Sequence, residues 1–279
     1  MEILRTPEEA HRWRRTATGT VGFVPTMGYL HEGHLSLVRA SRAQDDVTVV
    51  SIFVNPTQFG PHEDFARYPR DEARDLALLE QEGVHAVYLP SVEAMYPPGY
   101  QTYVTVEELT KRLEGERRPG HFRGVTTVVT KLFNAIRPHR AYFGKKDAQQ
   151  LRVIRRMVRD LDFDIEIVAC ETVREADGLA MSSRNVYLAP EERALAPLLA
   201  RSLQEAAERF RAGERDANAL RSTVLDHLSR EPRIEVEYVS LADDESLEEI
   251  TGRVEGAALL SLAARIGSTR LIDNVELRP

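Results

Sequence analysis

One cysteine, Cys170, stands in 279 residues, so no intramolecular disulfide can form, which suits a reducing compartment. Lysine is nearly as scarce: Lys111, Lys131, Lys145 and Lys146 are the whole supply, and arginine provides the other basic side chains. No apolar run approaches the length of a membrane span, and the opening MEILRTPEEAHRWRR is too charged for a secretory signal. Nor is there a positive excess to attract nucleic acid, because the formal net charge is −7. The chain is therefore expected to be cytoplasmic and to bind neither nucleic acid nor membrane. With 42% hydrophobic and 29% charged residues it has a globular composition, and its length allows two cores.

Two familiar signatures are also missing. After the first strong strand there is no G-x-G-x-x-G, which argues against a dinucleotide site of the usual kind. H-E-G-H is one residue too short for the H-E-x-x-H of zinc proteases, and no cysteine lies near to complete a zinc site.

What is present is VGFVPTMGYLHEGHLS (21–36). Its β-branched run ending at Pro25-Thr26 predicts a buried strand; Met27-Gly28 turn the chain, and Leu35 to Ala43 predicts an amphipathic helix. His31 and His34 then fall at the strand-to-helix turn or in the first helical turn. There, unpaired amides and the positive end of the helix dipole favour an anion, and Gly33 admits a ligand close to the backbone. The pattern points to a polyphosphate site with two imidazoles reaching into it. Taken singly, each histidine is as readily a surface or core residue.

Along the chain, a helix is expected over residues 6–15 and a second strand over 47–54, ending in the loop Asn55-Pro56-Thr57-Gln58-Phe59-Gly60-Pro61. A helix over 70–82, a strand over 85–90 and a strand over 100–106 follow. A helix over 126–136, a strand over 141–144, a helix over 148–161 and a strand over 164–172 complete the set. This alternation predicts an α/β fold: a doubly wound, Rossmann-like parallel sheet, with ligands outside the carboxyl ends of the strands. Residues 1–175 are assigned to that domain. Residues 176–279, with helices over 191–212 and 216–230 and strands over 233–243, 257–267 and 269–277, are assigned to a smaller α+β domain that caps the cleft.

P-T-M-G-Y-L-H-E-G-H resembles the H-x-G-H signature of the nucleotidylyltransferase and class I aminoacyl-tRNA synthetase superfamily. With V-N-P-T-Q-F-G downstream, it is similar to the pantothenate synthetases (pantoate–β-alanine ligases), and further matches extend the resemblance from about Val21 to Asn185. The resemblance implies ATP as substrate with Mg²⁺, pantoate and β-alanine as the joined molecules, a pantoyl adenylate between them, and a homodimer. It implies that His31 and His34 contact the ATP phosphates, with Met27 and Gly28 lining the pocket. Gly144-Lys145-Lys146-Asp147 matches a G-x-K-D segment in which Lys146 carries phosphate-binding charge and Asp147 holds the ribose. Met181-Ser182-Ser183-Arg184-Asn185 matches a mobile serine–arginine loop expected to close over the phosphates. Gln58 and Gln150 match two pantoate-binding glutamines, with Asn55 beside them. Arg118 and His121 match R-P-G-H-F and are expected near the phosphates or the amine. Asp75 is nominated for the metal ion.

Two choices stay open at this level. Asp147-x-x-Gln150 also reads as a variant capping box. A nucleotidylyltransferase acting on a phosphorylated small molecule would share the H-x-G-H turn.

Overall fold

A computed structural model describes residues 1–279 and divides them into two units: Met1–Lys145 with Gln150–Glu171, and Lys146–Gln149 with Thr172–Pro279. A boundary at residue 175 would leave Lys146 and Asp147 in the first. They group instead with the second unit, where the Lys146 carbonyl accepts from the Asn274 side chain at 2.8 Å.

The first unit contains β1 (Glu2–Leu4), α1 (Pro7–Thr16), β2 (Val21–Thr26), α2 (Glu32–Gln44) and β3 (Val47–Ile52). They are followed by α3 (Glu72–Gln81), β4 (Ala86–Tyr88), and the short α4 (Val92–Met95) and α5 (Glu114–Arg117). Next come α6 (His121–Ile136), β5 (Arg140–Gly144), α7 (Ala148–Asp160) and β6 (Glu166–Cys170). All six strands are parallel, in the order β1-β4-β3-β2-β5-β6. From β2 the chain builds outward through β3 to β4, then returns to lay β5 and β6 on the other side. The topological switch lies between β2 and β5, the crevice where such sheets bind ligands.

The strands part there. β2 pairs with β3 as far as Thr26 but with β5 only through Gly22 and Phe23. Pro25, which has no N–H to donate, falls where β2 has a partner on one side alone.

Successive side chains of β2 point to opposite faces, and both faces are covered. Val24 joins Leu37, Val38, Val50, Leu79 and Val87 in one buried layer, bringing α2 and α3 onto the sheet. Phe23 packs edge-on against Phe133 of α6 on the other face, with centroids 6.3 Å apart, and Phe133 meets Phe143 of β5 in the same way. Each such ring is buried and stabilises the fold by about 1.5–3 kcal/mol.

The second unit contains α8 (Pro190–Leu195), α9 (Pro197–Arg211), α10 (Ala217–Leu228) and the antiparallel strands β7 (Ile234–Asp243), β8 (Ala258–Ile266) and β9 (Thr269–Leu277), in the order β7-β8-β9. Leu199, Leu203, Phe210, Leu220 and Val224 pack on Leu241, Leu260 and Leu262 to make its core.

Four expectations differ from the structure. β1 lies where no strand was expected. Residues 100–106 form no strand; Val104 instead bonds through its backbone to the Thr126 and Thr127 hydroxyls of α6. The α6 helix begins at His121 rather than Thr126, entered through left-handed Gly120 (φ 84°). The helix expected over 191–212 is two, because Pro197 has no N–H for the helical ladder.

Candidate active site

Met27 leads from β2 into a tight turn in which Gly28 (φ 81°) and Tyr29 (φ 49°) are both left-handed. A side chain at Gly28 would bring Cβ within 2.9 Å of Ile52 Cγ2 and 3.0 Å of Asp75 Oδ2, so only glycine fits. The turn directs two consecutive amides at one carboxylate. Tyr29 N and Leu30 N donate to Asp75 Oδ2 and Oδ1, both at 2.7 Å. Asp75 is 1% exposed. Burial raises its pKa, against the two amide bonds that favour the charge. Both oxygens of the residue nominated for the metal clamp the turn.

The turn delivers His31 and His34 to the start of α2, and the two rings cap the helix reciprocally. Gly33 N donates to His31 Nδ1 at 3.1 Å, and His31 N donates to His34 Nδ1 at 3.3 Å. The ring centroids lie 4.1 Å apart. This is the capping-box arrangement of a Ser/Thr–Glu pair, built from imidazoles. An Nδ1 that accepts from an amide cannot carry the ring proton, so the neutral rings hold theirs on Nε2.

The expected anion site is revised accordingly. The His31 and Gly33 amides serve the rings, and His34 N donates to His31 O at 2.8 Å. Both imidazoles stand at the positive end of the helix dipole, where negative charge is favoured.

The loop after β3 forms a short 3₁₀ turn over Pro56–Gln58, and Asn55 is its hub. Asn55 Nδ2 donates to Gln58 Oε1 at 3.0 Å and to Gly124 O at 3.1 Å. Asn55 Oδ1 accepts from the Thr57 hydroxyl and the Tyr96 hydroxyl, each at 2.9 Å, and from Thr57 N at 3.3 Å. Asn55, expected beside pantoate, is 1% exposed and bonded at both ends, and it supports Gln58. With Oε1 taken, Gln58 turns Nε2 toward Met27, donating to Sδ at 3.2 Å. The structure thus brings Met27 and Gln58 together at neighbouring strand ends.

Arg118 and His121, expected near the phosphates or the amine, brace the same loop from outside. Arg118 forms two bonds to Glu63, at 2.6 and 2.8 Å, and donates to His121 Nε2 at 3.2 Å. His121 Nδ1–H in turn donates to Gln58 O at 2.9 Å. Burial, aided by the Arg118 charge, pushes the His121 pKa down to about 4. Burial opposes charge on Glu63 too, but the Arg118 bonds and charge prevail and hold its pKa at about 2. The row is an ion pair ending in a neutral imidazole.

Gly124 completes the loop's surroundings. A Cβ there would stand 2.4 Å from Thr57 O, so α6 presses directly on the 3₁₀ turn. Sequence reasoning missed Glu63, Tyr96 and Gly124; a glycine near the start of an apolar helix was the one available signal.

Gly144 ends β5, across the switch from β2, and Gln150 is half-exposed in the first turn of α7. In the second unit, Lys146 Nζ lies 3.4 Å from Asp147 Oδ1. Met181 N donates to Val173 O at 3.0 Å, closing a small hairpin. Ser182 then caps a 3₁₀ turn, Ser183–Tyr187, by accepting from Arg184 N. Asn185 Nδ2 donates to Glu175 Oε1 and Ala180 O, and Arg193 binds Glu175 and Asp177. The segment expected as a mobile loop forms this turn beside its own hairpin.

The sequence profile described as Pantoate-beta-alanine ligase matches residues 2–276. A pantothenate synthetase of Thermotoga neapolitana is 58% identical over 280 residues, covering 99% of this chain and all of that one. The crystal structure of pantothenate synthetase from Thermus thermophilus superposes with a TM-score of 0.95 at 48% identity, covering both chains fully. That of a pantoate-beta-alanine ligase from Francisella tularensis, complexed with beta-gamma ATP and beta-alanine, gives 0.81 at 32% identity over 99% of this chain and 97% of the other. Matches that run the whole length of the chain do not favour the nucleotidylyltransferase alternative. The chain belongs to the pantoate-beta-alanine ligase family.

Proposed function

We propose that this protein joins pantoate to β-alanine at the expense of ATP, through a pantoyl adenylate. A pantoate carboxylate oxygen attacks the α-phosphorus and pyrophosphate leaves. The β-alanine amine then attacks the acyl carbon and AMP leaves, giving pantothenate. The phosphoryl step calls for in-line positioning and donors around the phosphate oxygens more than for covalent help. The observation that carries this reading is the histidine pair. Two imidazoles are fixed, by the reciprocal cap through Nδ1, at a helix N-terminus beside the β2/β5 switch, with the Gln58 amide at the next strand end.

In this reading His31 and His34 bind the triphosphate and stabilise the charge that develops on it. Met27, Gly28 and Gly144 line the nucleotide pocket; Lys146 adds a cation, and Asp147 takes the ribose hydroxyls. Met181, Ser182, Ser183 and Arg184 close over the phosphates and keep water from the adenylate. Gln58 and Gln150 bind pantoate, a small acid whose hydroxyls suit amide partners. Residues 176–279 act as the cap, two copies pair through the α/β domain, and the enzyme works in the cytoplasm.

No three His, Cys, Asp or Glu side chains converge as a metal cage, and Asp75 is engaged by amides. Mg²⁺ fits best as an ion brought in on the triphosphate, held mainly by phosphate oxygens and water. The deciding experiment is pantoate-dependent exchange of labelled pyrophosphate into ATP with β-alanine left out. Exchange supports the adenylate; exchange that appears only when β-alanine is added refutes it.

A further inference from the structure

The Gln58 loop is held by one side chain that belongs to no motif. Tyr96 follows α4 and is fixed there independently of the loop: its amide donates to Val92 O at 2.7 Å. Its ring packs on Phe53 and edge-on against Tyr100, with centroids 6.3 and 5.1 Å away. The Lys131 ammonium lies 4.8 Å from the Tyr100 ring centre and 5.9 Å from that of Tyr96, adding a cation–π contact to the stack. From this platform the Tyr96 hydroxyl reaches Asn55 Oδ1 at 2.9 Å, with the Thr57 hydroxyl 3.3 Å away.

An amide side chain can be turned over end for end, and the two orientations offer opposite chemistry to a ligand. For Asn55 the choice is made by partners with a single role: Thr57 N only donates, and Gly124 O only accepts. Asn55 must therefore give its NH₂ to Gln58, and Gln58 must give its own NH₂ to whatever lies in front of it. Those backbone partners lie in the loop or against it. Gly124 and His121 tie the Asn55–Gln58 pair to α6, and Tyr96 ties it, by a side-chain hydroxyl, to the segment after α4. Its phenol is a dependable donor, since burial pushes its pKa up to about 12 although the Thr57 bond acts the other way.

We propose that the Tyr96 hydroxyl is a positioning group for the organic acid. Through Asn55 it holds the Gln58 amide with Nε2 directed at a substrate oxygen, without touching substrate itself. This rests on the reading of Gln58 as a pantoate ligand. The chain of bonds Tyr96 Oη–H, Asn55 Oδ1, Asn55 Nδ2–H, Gln58 Oε1 sets both the position and the polarity of the last donor. Neutral hydrogen bonds of this kind shift equilibria by roughly 3–10-fold when one is removed.

The test is a double-mutant cycle in the full-length enzyme. Tyr96→Phe keeps the ring and its packing and removes the hydroxyl alone. It should raise the pantoate KM about 3–10-fold, with a smaller fall in kcat and no change in the ATP KM. In a Gln58→Ala background the same substitution should change the pantoate KM by less than about twofold, because the group it positions is gone. A merely structural tyrosine would affect both backgrounds equally or affect pantoate and ATP alike, and either result overturns the proposal. So does a Tyr96→Phe enzyme with the wild-type pantoate KM. If Gln58→Ala by itself leaves the pantoate KM intact, the ligand assignment of Gln58 has failed first, and that single-variant result separates the two failures. Thermal melting of each variant confirms that the comparison is made on folded protein.

Discussion

The histidine turn and the glutamine loop occupy adjacent strand ends of one sheet and are held in opposite ways. His31 and His34 are oriented by amides within three residues of themselves, and Asp75 holds their turn from a distance. Gln58 is oriented by residues scattered from Glu63 to Gly124, most of which reach it through Asn55 or Arg118. Chemistry can thus be placed either by a short, self-capping stretch or by a convergence of distant segments. The first resists distant substitutions, whereas the second is exposed to them at many positions.

The contrast can be broken in three ways, taken from the largest effect to the smallest. His34→Ala should reduce kcat by roughly 10²–10³, or about 2.7–4 kcal/mol, the usual loss for one preorganised transition-state donor. Steady-state turnover on folded protein checks this, and near-normal rates would remove His34 from the chemistry. Asp75→Asn keeps one acceptor but faces a second amide with an NH₂. A loss of about 2 kcal/mol in unfolding free energy is expected, with turnover lowered and not restored by added Mg²⁺. Rescue by Mg²⁺ would return Asp75 to the metal.

The third concerns acid. His121 stays neutral in the fold down to about pH 4, whereas an unfolded histidine takes its proton near 6.5. The unfolded chain binds the extra proton between those values, so the histidine's share of stability is complete above about pH 6.5 and drains away as the pH falls toward 4. Glu63, held near 2, keeps its share throughout the upper part of that window. Between about pH 6.5 and 4.5 the melting temperature should therefore fall, while the pantoate KM holds until the pH nears 4, where the folded imidazole itself takes a proton. His121→Gln should flatten the fall in melting temperature; an identical stability profile in that variant would contradict the brace.

What the sequence disclosed follows the same division. The turn at His31 and His34 was legible because its signal lies in one short unbroken stretch, strand, glycine and helix in order. Asn55 and Gln58 were legible as a polar loop at a strand end. The direction of the Asn55 amide was not, since it depends on Tyr96 and Gly124, far along the chain. Asp75 looked like any charge on a helix, and burial against a turn 46 residues earlier leaves no local mark. The three residues of β1 are too few to show a period, and its place at the sheet edge comes from pairing with β4. Pro197 was visible, but the long apolar stripe around it concealed the break.

A consequence attaches to the reciprocal cap at the head of α2. The ring atoms that anchor the helix and those proposed to meet the phosphates are opposite corners of the same two imidazoles, so neither duty can drift in evolution without the other. A replacement chosen only for its ability to meet an anion, such as lysine or arginine, brings no lone pair to the waiting amide and unravels the platform from which it would act.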